Sequence, residues 1–120
     1  MFALSIVLLL SGLLTTAICL PMVYEKVPMN SYFGMRTKHT FRSNESWVHL
    51  NEIGGMLFSL LGFPLMLGGS IGFFLSEQYL AMLGTVTAVV ALVSIAFAVY
   101  LFVRYSGRYT ERNTQVARQN

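Results

Sequence analysis

The stretch FALSIVLLLSGLLTTAICLPMV, Phe2 to Val23, contains no ionisable group except the thiol of Cys19. A helix rises 1.5 Å per residue, so about 20 apolar residues cross the roughly 30 Å hydrocarbon core of a bilayer. Working outward, the pattern recurs: Ile53–Ser76 and Gln78–Val103 also carry no charged residue. A chain of 120 residues has no interior deep enough to hide three helices that are apolar on every side. We therefore expect an all-α membrane protein, one domain over residues 1–120, with spans at about 2–24, 53–75 and 78–103. Composition agrees, with 55% hydrophobic and 11% charged residues, against about 25% charged in soluble domains.

The charges set an orientation. Lys26, Arg36, Lys38 and Arg42 lie in the segment at about 25–52, and Arg104, Arg108, Arg112 and Arg118 lie in the tail at 104–120. The N-terminal stub and the Ser76–Glu77 connection have no Lys or Arg. The positive-inside bias predicts a multi-pass protein of the cell membrane, with a structured cytoplasmic loop, a cytoplasmic C-terminus and the N-terminus outside. The net charge of +3 then reflects topology and contact with anionic lipids, with no direct nucleic-acid binding. A cleaved leader fits the first span poorly, because its stem lacks a basic region and its apolar run is long. Cys19 follows Ile18 rather than the small residue a lipid-anchor site needs, and reads as a buried thiol.

Helix 1 is expected to end at Tyr24, ahead of Pro28. Ser43 is a candidate N-cap, with Glu45 in the first turn, for a helix that continues into the second span. Pro64 should bend that span, and Ser76 should cap helix 3. Gly54, Gly55, Gly68 and Gly72 are candidates for close helix packing. Gly68-x-x-x-Gly72 in particular fits packing within the bundle or, alternatively, a homo-oligomer.

No Asp, Glu, Lys, Arg or His lies inside a span, which argues against a pump or proton relay, since these keep ionisable groups at membrane depth. Chemistry is left to the polar segment. Arg36, between Gly34 and Thr37, offers a fork for an anionic group. Glu45, His49 and Glu52 share one helix side and are weak metal candidates, with a wet polar face as the default; no metal or cofactor is expected. Trp47, Asn51 and Gly54 share the opposite side and should pack on the rest of the loop, at Asn30 or Thr37. The lone cysteine sits in a span away from both histidines, and no nucleophile motif appears, so no enzymatic activity is expected. Arg104, Arg108 and Arg112 would form a ridge of snorkelling stems if helix 3 continues beyond the membrane, with Tyr105 and Tyr109 beside it.

Read together, Pro28-Met29-Asn30, Tyr32-Phe33-Gly34-Met35-Arg36-Thr37, Thr40, Ser43 to Trp47, Asn51 and Gly54-Gly55 resemble the signature of the SdpI family of bacterial integral membrane proteins. The likeness covers roughly residues 20–75. It implies a helical membrane fold and a binding role for Pro28, Asn30, Gly34, Arg36, Thr37, Trp47 and Asn51, toward a ligand or partner. It further implies resistance or immunity to a membrane-active peptide toxin, or membrane signalling through a cytoplasmic regulator. The longer immunity proteins of the family have a preceding membrane half, and this chain shows a single half. Two other readings are an accessory subunit of a larger membrane complex and a protein that binds or modifies lipid headgroups.

Overall fold

The computed structural model describes residues 2–120. Helix α1 spans Ala3–Val23, a single 3-10 turn spans Thr40–Arg42, and α2 spans Asn44–Ser59. Helix α3 covers Gly62–Gly72 and α4 covers Glu77–Gln119. With α2 and α3 forming one bent rod, three helices are long and apolar enough to cross a membrane. The all-α architecture and the three spans follow from the charge-free runs; the boundaries differ in instructive ways.

Helix α1 ends at Val23 by its own C-terminal turn and not because of Pro28. Glu25 adopts a left-handed φ of 57°. Its amide donates to the Met22 carbonyl (3.2 Å) and the Lys26 amide to the Pro21 carbonyl (2.8 Å). This is the paired closure of a Schellman motif, in which the left-handed position is usually glycine.

The second span starts well before its apolar run, at Asn44. Ser43 Oγ accepts the Ser46 amide at 3.0 Å, as expected of an N-cap. The bend falls at Leu60–Leu61, one turn ahead of Pro64, because proline offers no N–H to the Leu60 carbonyl. That carbonyl accepts the Phe63 amide instead (3.3 Å), and the Leu61 amide donates to Phe58 (3.1 Å), so the chain tightens into three-residue steps. The Thr16 hydroxyl of α1 reaches the Ser59 carbonyl at 3.4 Å, one of the ways a membrane helix break is re-satisfied.

Helix α4 is a single rod of 43 residues. At 1.5 Å per residue that is about 65 Å, and the molecule's longest dimension is 64 Å. The tail beyond Val103 is thus helix, rising out of the bundle. Ser76 occupies the N-cap, but its hydroxyl makes no capping bond; its carbonyl accepts the Tyr79 amide (3.0 Å).

Packing is built on close approach. Gly55, Gly62 and Gly69 recur every seven residues and face α1. A Cβ on Gly62 would stand 2.5 Å from the Gly12 carbonyl oxygen, and one on Gly69 would stand 2.6 Å from the Leu9 nitrogen. Backbones in contact gain dispersion that lipid cannot replace. Gly68 faces Thr87 of α4, and Gly72 faces Ser5 of α1 and Leu83 of α4. The Gly68-x-x-x-Gly72 pair is therefore taken up within the chain. The outward sides, Val93 and Phe97 among them, are exposed as lipid-facing surface should be.

Candidate functional site

The segment between α1 and α2 has little regular structure, yet side chains fix its backbone almost residue by residue. Asn30 Oδ1 accepts the amides of Tyr32 (2.8 Å) and Phe33 (2.7 Å), and its Nδ2 donates to the Pro28 carbonyl (2.6 Å). An asparagine that satisfies its own downstream amides makes a self-contained turn. Arg36 Nη1 donates to the Ser31 carbonyl across the same turn. Thr37 and Thr40 close the next one reciprocally. The Thr37 amide donates to Thr40 Oγ1 (2.8 Å), the Thr40 amide to Thr37 Oγ1 (3.3 Å), and the Thr40 hydroxyl to the Thr37 carbonyl (2.9 Å). Thr40 is completely buried, and these bonds are what make that burial affordable.

The folded segment sits on one face of α2. Trp47 is fully buried, its Nε1 donating to the Val27 carbonyl at 2.9 Å and its ring 5.2 Å from that of Phe41. One turn on, Asn51 Oδ1 accepts the Met35 amide at 2.6 Å, and its Nδ2 donates to the Trp47 carbonyl at 2.9 Å. Gly34, at φ 109°, lies directly over this pair; a Cβ there would meet Asn51 Oδ1 at 2.6 Å and Trp47 Cζ2 at 3.2 Å. Gly54 continues the face against Met35 and Phe102.

The helical tail closes the other side. Thr110 Oγ1 and His39 Nδ1 share a hydrogen bond of 2.9 Å, and His49 Nε2 and Tyr105 Oη share one of 2.6 Å. The His49 ring also lies 4.8 Å from that of Tyr109. A polar cleft of about 290 Å³ remains between Arg42, Ser43 and Ser46 on one side and Thr110, Asn113 and Thr114 on the other.

The expected division of α2 into two faces thus corresponds to real surroundings. Trp47, Asn51 and Gly54 pack on the loop, but at Gly34 and Met35 rather than at Asn30 or Thr37. Glu45, His49 and Glu52 are not drawn together: His49 is engaged by Tyr105, and no group of three or more His, Cys, Asp or Glu is gathered among the described residues. Arg36, His39 and His49 have three different partners, Ser31, Thr110 and Tyr105. Asn30, Thr37, Trp47 and Asn51 hold backbone through side-chain hydrogen bonds, Gly34 leaves the room that Asn51 fills, and Pro28 gives its carbonyl to the Asn30 turn. Sequence reasoning missed Thr110, Met35 and the Val27 carbonyl. The i, i+4 spacing of Tyr105 and Tyr109 signalled a face on α4 but not what it meets.

No curated protein and no solved structure matches the chain. The family model for the SdpI/YfhL protein family matches residues 26–103, a segment that begins just after α1 and includes every residue of the loop platform. That match extends over well more than half of the sequence, and the chain belongs to the SdpI/YfhL protein family.

Proposed function

We propose that this protein acts in resistance to membrane-active peptide toxins, or in the membrane signalling that accompanies it, and that the platform of Asn30 to Asn51 is its working surface. The observation that carries the reading is the role of the motif residues. The side chains of Asn30, Arg36, Thr37, Trp47 and Asn51 all hold backbone in place, so what the motif produces is a shaped surface and not a reaction centre. Tyr32, 92% exposed at the tip of the Asn30 turn, together with exposed Arg36 and Lys38, forms the accessible part. Such a surface suits recognition of a peptide or a protein regulator, without enzymatic chemistry and without nucleic acid. The basic residues of loop and tail favour a cytoplasmic placement in the cell membrane, against anionic lipid.

The test is a deletion strain challenged with membrane-active peptides and complemented with variants. We expect the deletion to sensitise cells, Tyr32→Ala and Arg36→Ala to complement poorly at normal protein levels, and Gly107→Ala to complement fully. Equal rescue by Tyr32→Ala and Arg36→Ala would remove the platform from the function. Orientation is read separately, in a Cys19→Ala background. Gln78→Cys should react with an impermeant maleimide in intact cells, and Asn113→Cys only after lysis.

A further inference from the structure

On the side of α2 away from the loop platform lies an open cleft of about 370 Å³ lined by Glu25, Glu45, Val48, His49 and Tyr109. We propose that this cleft binds the ammonium head of an aminophospholipid. Two carboxylates, from the end of α1 and the first turn of α2, face it, and no lysine or arginine lines it. The rest of the wall is Val48 and the rings of His49 and Tyr109. The His49 and Tyr109 rings lie 4.8 Å apart, and His49 is fixed from behind by its hydrogen bond to Tyr105, whose ring stacks on that of Tyr109 at 6.4 Å. Two carboxylates beside a tyrosine ring suit an alkylammonium group, through charge and the ring quadrupole together.

The helix ending supplies a variant that tests the site. Glu25 holds a left-handed conformation at the position of the helix ending that glycine occupies most readily. A glycine there would relieve strain, and a glutamate there keeps a carboxylate on the cleft.

Depth selects a lipid as the source of the ammonium. Glu25 follows the first charge-free run, Glu45 and His49 precede the second, Ile53–Ser76, and Tyr109 lies beyond the third, Gln78–Val103. All stand at headgroup level. Exposed Arg104 and Arg108, on the same stretch of α4, offer cations to the phosphate of the same lipid.

The experiment is native mass spectrometry of the purified full-length protein in detergent, titrated with phosphatidylethanolamine or with phosphatidylglycerol of identical acyl chains. Wild type should retain phosphatidylethanolamine about fivefold better. Glu45→Gln and Tyr109→Leu should abolish that preference while leaving phosphatidylglycerol retention unchanged. Glu25→Gly is the decisive variant, because it should melt at the same temperature as wild type or higher and still lose the preference. A preference that survives in Glu25→Gly and Glu45→Gln, or equal retention of the two lipids by wild type, overturns the proposal. Displacement of the lipid by millimolar free ethanolamine would overturn the lipid assignment and leave a site for soluble amines.

Discussion

At the residue scale, the loop depends on a three-way fit among Gly34, Asn51 and Trp47. Gly34 supplies both a φ of 109° and the absence of a Cβ where Asn51 Oδ1 sits 2.6 Å away. Gly34→Ala must strain its backbone and displace a buried amide acceptor, so we expect a loss of about 2–3 kcal/mol, measured by reversible unfolding in mixed micelles. Asn51→Leu leaves the Met35 amide without its acceptor. A loss of about 1–3 kcal/mol is expected, with faster amide exchange at Met35 as its local signature. The importance of Gly34, Trp47 and Asn51 was legible in the sequence, since a lone glycine, a lone tryptophan and an asparagine at helix spacing rarely coincide without a reason. The pairing was not legible. Asn51 meets the Met35 backbone, and any residue type at 35 would present the same amide, so no side chain there could advertise the contact.

At the scale of elements, what composition controls was predictable and what hydrogen-bond closure controls was not. Three charge-free runs had to become spans, and Pro64 had to break the second one. The end of α1 at a glutamate in left-handed conformation has no sequence signal, because glycine is the residue that ordinarily announces such an ending. The glycines of α2 and α3 were visible as packing residues, but only the structure assigns each to a partner, with Gly62 on Gly12 and Gly68 on Thr87. Gly62→Val should therefore part α1 from α3. A loss of about 2–4 kcal/mol is expected from the overlap and the dispersion forfeited, read as a drop in the thermal melting temperature in detergent. Gly107 is its counterpart, a helical glycine with nothing within 4 Å of a built Cβ. Gly107→Ala should stabilise α4 by about 0.5–1 kcal/mol, from helix propensity alone. If both substitutions proved neutral, close backbone packing would not be what holds this bundle.

At the scale of the whole molecule, the loop is held between two supports of different kinds. One is α2, through the buried Trp47 and Asn51. The other is the emergent part of α4, which meets the loop through Thr110 with His39 and braces α2 through Tyr105 with His49, contacts at partly exposed positions that sequence reading could not pair across 71 and 56 residues. Buried supports exclude water and exposed ones compete with it, so the second should open at lower free energy than the first. Ending the chain after Arg104 removes the second support and leaves the first intact. The truncated protein should still fold, and its single tryptophan should keep the blue-shifted emission of a buried indole. Limited trypsin treatment should then cut after Lys38 and Arg42 about tenfold faster than in the full chain, the ratio that loss of roughly 1.4 kcal/mol of local restraint produces. Cleavage after Lys26 should change little, because its backbone is tied into the end of α1 and not to the tail. Unchanged cutting at Lys38 and Arg42 would show that the loop rests on α2 alone, and that the long helix rises from the membrane for some purpose other than clasping it.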